Sequence, residues 1–187
     1  MCKKNTLILI FTFFDKDSYI YLRYLLSTAY ALLMDKIVIY TDGSSRGNPG
    51  PGGYGAILMW GSKVKEIGAA FRKTTNNRME LLAVIEAIKA LKAKHLPIHV
   101  YTDSKYIVDS VDKKWLDNWI RTDFKGGKKN RDLWEQYHAL SKDFKIKFHW
   151  VKGHADNPYN NRCDEIATQL ADNGPWETDS AYEAIEK

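Results

Sequence analysis

Apolar and polar residues recur along this chain with two periodicities, one typical of strands and one typical of helices. Together they predict an α/β domain. Five short apolar or alternating runs have the length of strands and are bounded by glycine, proline or charged residues. The predicted strands are residues 36–40, 54–60, 63–72, 97–101 and 145–151. Gly61 and Ser62 join the second and third strands as a hairpin turn.

Longer segments with apolar residues at three- and four-residue spacing predict helices. Residues 78–92 carry this spacing most clearly. Further helices are predicted from Ser104, through the tryptophans at 115 and 119, over 131–141, and over 158–171 after a cap at Asn157. The order of the elements indicates a mixed sheet, with a hairpin part followed by strands that are joined through helices.

The two ends of the chain differ from this central domain. Residues 1–33 are apolar but are interrupted by charges, and no uninterrupted run has the roughly 18 residues that span a membrane. Our hypothesis is that the domain begins at Met34 and that residues 1–33 are an overcalled start or a dispensable extension. The alternative is a segment that packs as a helix or lies on a membrane surface. Residues 34–173 form the predicted domain, and the polar residues 174–187 a flexible tail.

Composition narrows the class of protein. The chain has 187 residues, a formal net charge of +5, and two cysteines without the spacing of a disulfide framework or a zinc site. We therefore expect a reducing, cytoplasmic context. Residues 113–131 hold seven Lys or Arg against two Asp, interleaved with Trp115, Trp119 and Phe124. Such a segment suits a nucleic acid, although a solvated helix face with core tryptophans has the same composition.

Four acids stand at positions where a fold of this class can gather them. Asp42 and Asp103 follow two predicted strands, Glu80 lies in the first turn of a helix, and Asp164 lies in the last helix. The carboxyl ends of parallel strands meet at one crevice. Gathered carboxylates repel one another, and a divalent cation relieves that repulsion. Oxygen ligands without thiols or histidine pairs favour Mg²⁺ or Mn²⁺ over zinc.

Each of these residues also has a purely structural explanation. Asp103 could cap the following helix, Glu80 has the spacing of a capping box, and Asp164 could be a surface residue. The stretch from 40 to 57 holds six of the 12 glycines. It could bring backbone close to a ligand or simply cross a crowded sheet edge. His154 follows the last strand in a glycine-containing loop, where a histidine near carboxylates could move protons.

Four segments together resemble one family. They are "YTDGSSRGNPGPGGYGAI", "TTNNRMELLA", "VYTDSKYIV" and "WVKGHADNPYNNRCDEIA", and they occur in the order and spacing of type 1 ribonuclease H, most like the bacterial enzymes. The resemblance covers about residues 34–173. It implies a ribonuclease H-like fold, with a five-stranded mixed sheet flanked by helices. It also implies an endonuclease that hydrolyses the RNA strand of RNA–DNA hybrids.

The resemblance implies roles for individual residues. Asp42, Glu80, Asp103 and Asp164 match the metal-binding carboxylates, and His154 matches a loop histidine that helps proton transfer or product release. The implied substrate-binding residues are Asn48, Asn76 and Asn77 at the minor groove, Thr75 at a DNA phosphate, Tyr106, Trp115 and Trp119 along the DNA channel, and Lys128 and Lys129 in the basic "handle".

A mechanism follows from this resemblance. Two Mg²⁺ ions, or Mn²⁺, would activate a water and stabilise the leaving 3′-oxygen, so that in-line attack leaves a 5′-phosphate and a 3′-hydroxyl. The hybrid is the implied partner, and no stable protein partner is implied. No membrane is implied unless residues 1–33 anchor the protein to one. We expect a monomer. On this interpretation the first strand stops at Asp42 to deliver a ligand. The glycines then let the backbone, and Asn48, reach the minor groove.

This chain departs from the family pattern in three ways, and other functions stay open. The handle is a few residues shorter and contains Gly126 and Gly127, residue 105 is Lys where many relatives have Gln, and residues 1–33 lack the pattern of a hybrid-binding domain.

One alternative is a non-catalytic module that binds hybrids, which the four intact acids argue against. Another is a Holliday-junction resolvase or an integrase core, against which "NNRME" and "GHA" argue. A third is a membrane-tethered form of the same enzyme.

Overall fold

The structure is a computed structural model that describes residues 18, 20–26, 36–153 and 156–185. The chain divides into two compact units, Met1–Asp35 and Lys36–Lys187. In the first unit, residues 18 and 20–26 are helical. No helix in the described ranges is long and apolar enough to cross a bilayer. The origin and role of residues 1–33 stay a prediction, since most of that segment lies outside the described residues.

The second unit is built on a six-stranded mixed sheet. The strands are β1 (Ile37–Ser45), β2 (Gly50–Trp60), β3 (Lys63–Thr74), β4 (Ile98–Thr102), β5 (Ile146–Trp150) and β6 (Trp176–Glu177). Their order is β5-β4-β1-β2-β3-β6, with β1, β2 and β3 antiparallel, β4 and β5 parallel to β1, and β6 parallel to β3. The five predicted strands and the fold class are confirmed, and the two-residue β6 is an addition to them.

Six helices of the second unit flank this sheet. They are α1 (Asn76–Lys89), α2 (Lys105–Asp112), α3 (Trp115–Arg121), α4 (Arg131–Ser141), α5 (Pro158–Asn173) and α6 (Ser180–Ile185). The main hydrophobic core lies between the sheet and α1, whose apolar side chains at three- and four-residue spacing, such as Leu81, Val84 and Ile85, are fully buried. Ile39 and Val100 meet them from the neighbouring parallel strands β1 and β4.

The first strand is longer than its apolar run. The prediction that it stops at Asp42 is wrong, because β1 continues to Ser45 and Asp42 pairs with Gly55 of β2. Pairing with β4 ends at Tyr40 and Tyr101, one residue before the end of β4. Beyond that point β1 is bonded only to β2, so one edge of the strand is open beside Asp42. This open edge is where the cavity described below begins.

The glycines of β2 have a structural use that the sequence interpretation missed. A Cβ on Gly55 would run into the backbone carbonyl of Cys163 in α5 and would lie 2.9 Å from Cβ of Ile166. A Cβ on Gly53 would meet the backbone of the same helix at Ala167. Because real Cβ atoms do not approach other atoms so closely, these positions need glycine for α5 to sit directly on the sheet. The interpretation that the glycines serve the minor groove is therefore wrong for Gly53 and Gly55.

The C-terminal segment is held to the domain, so the prediction of a flexible tail is wrong for residues 174–185. Trp176 pairs with Ala70 of β3. Asp179 is 8% exposed and its carboxylate accepts hydrogen bonds from Arg78 Nε at 2.7 Å and Nη2 at 2.9 Å. Arg78 is 1% exposed, and its other partner is Asp132 of α4. A buried guanidinium requires such carboxylates, and this requirement ties the polar tail to the core.

Candidate active site

Four carboxylates line one cavity at the open edge of β1. Asp42 projects from that strand, Glu80 from the first turns of α1, Asp103 from the end of β4, and Asp164 from α5. The cavity has a volume of about 480 Å³, and its other lining residues are Gly43, Ser44, Arg46, Asn76 and Thr168. The structure thus brings together the four acids that the sequence singled out. Their catalytic role stays a prediction at this point.

Asp42 is the most buried of the four, with 7% of its surface exposed. Burial raises the pKa of its carboxyl to about 8, and the charges of Asp103, Asp164 and Glu80 add to the rise. The backbone N–H of Gly43 donates to Asp42 Oδ1 at 2.7 Å, which partly offsets this effect. Without a compensating cation, Asp42 therefore holds its proton near neutral pH.

Glu80 is positioned by hydrogen bonds to both of its oxygens. The Ser104 hydroxyl donates to Oε2, and Asn76 Nδ2 donates to Oε1 at 2.9 Å. Burial raises the pKa of Glu80 to about 7, Asp103 adds to the rise, and the bonds from Ser104 and Asn76 oppose it. The Asn76 backbone N–H in turn donates to Asn48 Oδ1 at 3.3 Å. This chain of contacts links the β1–β2 loop to the carboxylates.

Ser104 is a site residue that the sequence reasoning missed. It is the N-cap of α2, where its hydroxyl accepts from the Ile107 backbone N–H at 3.4 Å. The alternative that Asp103 caps this helix is therefore wrong. The capping-box explanation of Glu80 is also wrong, since the N-cap of α1 is Thr75 without a side-chain cap bond. The serine that directly follows Asp103 was the available signal, because serine favours N-caps.

Two glycines bring separate elements close enough to form the cavity. A Cβ on Gly43 would collide with the backbone of Glu80, 2.8 Å from its Cα, so β1 and α1 pass in direct contact beside Asp42. A Cβ on Gly153, just after β5, would collide with Oδ2 of Asp103. The loop that follows therefore begins against this carboxylate. His154 lies outside the described residues, and its predicted role stays a prediction.

The donor set fits a hard divalent cation. All four acidic side chains offer oxygen ligands. Burial raises the pKa of the nearby Cys163 thiol, so the thiol stays protonated and is not a metal ligand. Within the described ranges, no three His, Cys, Asp or Glu side chains converge as a ready-made cage. Mg²⁺ suits this arrangement, because it binds through one or two carboxylates and keeps water or substrate phosphate oxygens as its other ligands. Such an ion would favour the charged forms of Asp42 and Glu80.

A second cavity, of about 560 Å³, gathers five of the predicted substrate-binding residues. Asn48 comes from the β1–β2 loop, Thr75 and Asn77 from the start of α1, and Lys128 and Lys129 from the segment before α4. The remaining lining residues are Pro49, Arg78, Gly127, Asn130, Arg131 and Tyr182. Tyr182 belongs to the C-terminal segment and was not predicted. Amide, hydroxyl and ammonium groups around one concavity suit a phosphate group.

The predicted aromatic residues line neither cavity, and they divide into two groups. Tyr106 is half-buried, and its hydroxyl accepts from Trp134 Nε1 at 2.6 Å and from Asn130 Nδ2 at 3.3 Å. Trp119 packs against the hydrophobic core and meets Trp134 edge-on at 5.7 Å. These rings anchor the basic segment to the domain. Trp115 is 41% exposed and presents a ring surface to solvent.

Known proteins resemble this chain in sequence and in fold. The family model for RNase H matches residues 34–172. A ribonuclease H of Chlorobium luteolum is 49% identical over 147 residues, which are 76% of this chain and 100% of that protein. LC9-RNase H1, a type 1 RNase H with the type 2 active-site motif, superimposes with a TM-score of 0.68 at 28% identity, over 81% of each chain. LC11-RNase H1 in complex with an RNA/DNA hybrid gives 0.57 at 25% identity, over 73% of this chain and 97% of that one.

Proposed function

The chain belongs to the ribonuclease H family, and we propose that it is an endonuclease that hydrolyses the RNA strand of RNA–DNA hybrids at the cavity of four carboxylates. The observation that carries this proposal is the gathering of Asp42, Glu80, Asp103 and Asp164 around one cavity. A protein that only bound hybrids would have no need of so costly a cluster, since buried like charges destabilise a fold.

The four carboxylates hold divalent metal ions in this proposal. Two Mg²⁺ ions, or Mn²⁺, would supply a water of lowered pKa and positive charge that stabilises the leaving 3′-oxygen. The protein contributes fixed ligand positions. Gly43 N–H holds Asp42, and Ser104 with Asn76 holds both oxygens of Glu80, so little reorganisation is needed when substrate arrives. The products carry a 5′-phosphate and a 3′-hydroxyl.

Substrate binding uses the neighbouring cavity and the exposed basic segment. Thr75 and Asn77 would grip a phosphate of the DNA strand, with Lys128 and Lys129 adding charge. Asn48 lines this cavity and also bonds to Asn76, which lines the carboxylate cavity, so the two sites are mechanically joined. Asn48, Asn76 and Asn77 are suited to read the minor groove and the 2′-hydroxyls, which distinguish RNA from DNA without regard to sequence.

Other parts of the proposal concern the wider molecule. Trp115 offers an exposed ring along the DNA channel, whereas Tyr106 and Trp119 support that channel from the core. His154 assists proton transfer or product release in this proposal. The enzyme works as a monomer in the cytoplasm.

The test compares the wild-type chain with Asp103→Asn, purified in the same way. The substrate is a labelled RNA strand paired with DNA, in Mg²⁺ and in a chelator, with the matching RNA–RNA duplex as a control. We expect metal-dependent cleavage of the hybrid by the wild type alone, and nearly unchanged binding of the hybrid by Asp103→Asn, since the variant loses a metal ligand but keeps the binding residues. Tight binding without cleavage by the wild type would instead favour a hybrid-binding module.

A further inference from the structure

The carboxylate cavity contains one cation among the residues described around it. Arg46, in the loop after β1, lines it together with the four acids. An RNA strand that enters this cavity brings its own negative phosphates to four carboxylates. Metal ions held by the acids would offset the charge at the scissile phosphate, and the phosphates next to it would still face the carboxylates. A resident guanidinium at the rim is placed to do so.

Arg46 is held in a defined orientation. Its Nε and Nη2 donate to Asp172 Oδ1 and Oδ2 at 2.5 and 2.6 Å, so the pair is bidentate. Asp172 lies on α5, the helix that also carries Asp164 two turns earlier. These hydrogen bonds use the Nε and Nη2 edge of the guanidinium, so a further acceptor would bind at Nη1 on the other edge.

This ion pair has little value for stability. The side chains of Arg46 and Asp172 are 44% and 45% exposed. Exposed ion pairs contribute little to folding because water and salt screen them. Nor does the surrounding loop need a long cation, because the Arg46 backbone already closes the turn through its N–H to the Pro51 carbonyl at 2.7 Å. The arrangement is better explained by an anion that approaches from the cavity.

We propose that Arg46 binds a phosphate of the RNA strand adjacent to the scissile one, with Asp172 acting as a positioning residue that orients the guanidinium. This inference rests on the proposed function, because it needs the RNA strand to pass over the carboxylates. Arg46 then contributes to affinity and to the register of the strand, and the chemical step remains with the acids.

The experiment measures steady-state kinetics and salt dependence for Arg46→Ala and Arg46→Lys. The substrate is a hybrid in which 2′-O-methyl residues leave a single cleavable bond. We expect Arg46→Ala to raise KM about tenfold with kcat little changed. The plot of log binding constant against log salt should become shallower by about 0.7–0.9, as for one lost phosphate contact. Arg46→Lys should retain the wild-type salt slope because it keeps the charge.

Arg162→Ala is the matched control. Arg162 also makes a bidentate pair, with Glu66, its side chain is 43% exposed, and it lies outside the lining of the carboxylate cavity. We expect this variant to match the wild type in KM and in salt slope. Equal effects of Arg46→Ala and Arg162→Ala would overturn the inference, because a general loss of surface charge would then explain both.

Neutral methylphosphonate linkages identify the phosphate. One such linkage is placed in turn at each position of each strand. A linkage next to the scissile bond of the RNA strand should weaken hybrid binding by the wild type and leave binding by Arg46→Ala unaffected. If the effect of Arg46→Ala depended instead on a linkage in the DNA strand, or on no linkage at all, the assignment would be overturned. A wild-type chain that does not cleave the hybrid at all would reject the proposed function, whereas a cleaving wild type with an unaffected Arg46→Ala would reject this inference alone.

Discussion

Replacing Asp179 by alanine should destabilise the whole domain, although the residue lies in the short segment that follows α5. Its carboxylate accepts two of the four hydrogen bonds that Arg78 makes to acids, and Thr74 Oγ1 donates to it at 3.1 Å. Arg78 is 1% exposed, so water cannot take over the lost bonds. The variant therefore leaves part of a buried cation without acceptors.

The size of the expected stability loss depends on the hydrogen bonds that Arg78 keeps in the variant. Removing the sole partner of a buried charge costs about 3–5 kcal/mol. Asp132 still bonds Nη1 and Nη2 of Arg78 at 2.8 Å in the variant. We therefore expect a loss of about 2–3 kcal/mol in the free energy of unfolding. For a chain of this length that corresponds to a fall in Tm of about 4–12 °C.

Thermal and urea denaturation of the full chain at pH 7 measure this loss, and Glu183→Ala is the control. Glu183 also tethers the C-terminal segment, through a bidentate pair with Arg72, but the Arg72 side chain is 59% exposed. The control should cost less than about 1 kcal/mol and should be sensitive to salt, unlike Asp179→Ala. If the two variants lose similar stability, the buried cluster does not hold the tail, and the reasoning is refuted.

Three further outcomes are expected. In a chelator at pH 9, Asp42→Asn should be more stable than the wild type by on the order of 5 kcal/mol, since each unit by which burial raises the pKa of Asp42 is worth about 1.4 kcal/mol. A carboxyl whose folded pKa is raised to about 8 stabilises at low pH, and that stability is lost as the pH rises through 8; Tm values from pH 5 to 10 that run parallel in both proteins would contradict this. Titration calorimetry should find weaker Mg²⁺ binding at pH 6 than at pH 8.5, because Asp42 and Glu80 must release protons, and equal affinities would argue against both acids as ligands. Gly55→Ala should cost about 1–3 kcal/mol and lower kcat, because its Cβ would push α5 away at Cys163, and unchanged unfolding and kinetics would show that the contact can relax.

The sequence was sufficient for the elements whose stability is local. Strands β2, β4 and β5 and the buried face of α1 follow from their apolar patterns, because each buries apolar side chains in the core. The gathering of Asp42 and Asp103 was also predictable, since β1 and β4 are adjacent parallel strands. The extension of β1 to Ser45 was not, because its last residues are small and polar. They join the sheet only by pairing with the glycines of β2.

The contacts that position Glu80 and hold the C-terminal segment join residues that are far apart in sequence. Asp179 and Arg78 are 101 residues apart, and Ser104 and Glu80 are 24 apart. No periodic pattern reports such a pair, because each is made by one polar side chain that meets another after the backbone has folded. A polar tail therefore looked free, and Ser104, which orients Glu80, looked only like the first residue of a helix.

The glycines after Asp42 connect fold to function in a different way from the one that the sequence suggested. Gly43 lets β1 lie directly against α1, which carries Glu80, and Gly55 lets α5, which carries Asp164, lie directly on the sheet. These two approaches leave no room for side chains between the elements, so the carboxylates cannot move apart without disrupting main-chain packing. The repulsion between the acids is therefore fixed by the fold. Because the acids cannot relieve it by separating, we expect them to bind either protons or cations, and we expect cation binding to become stronger as the pH rises above the raised pKa values of Asp42 and Glu80.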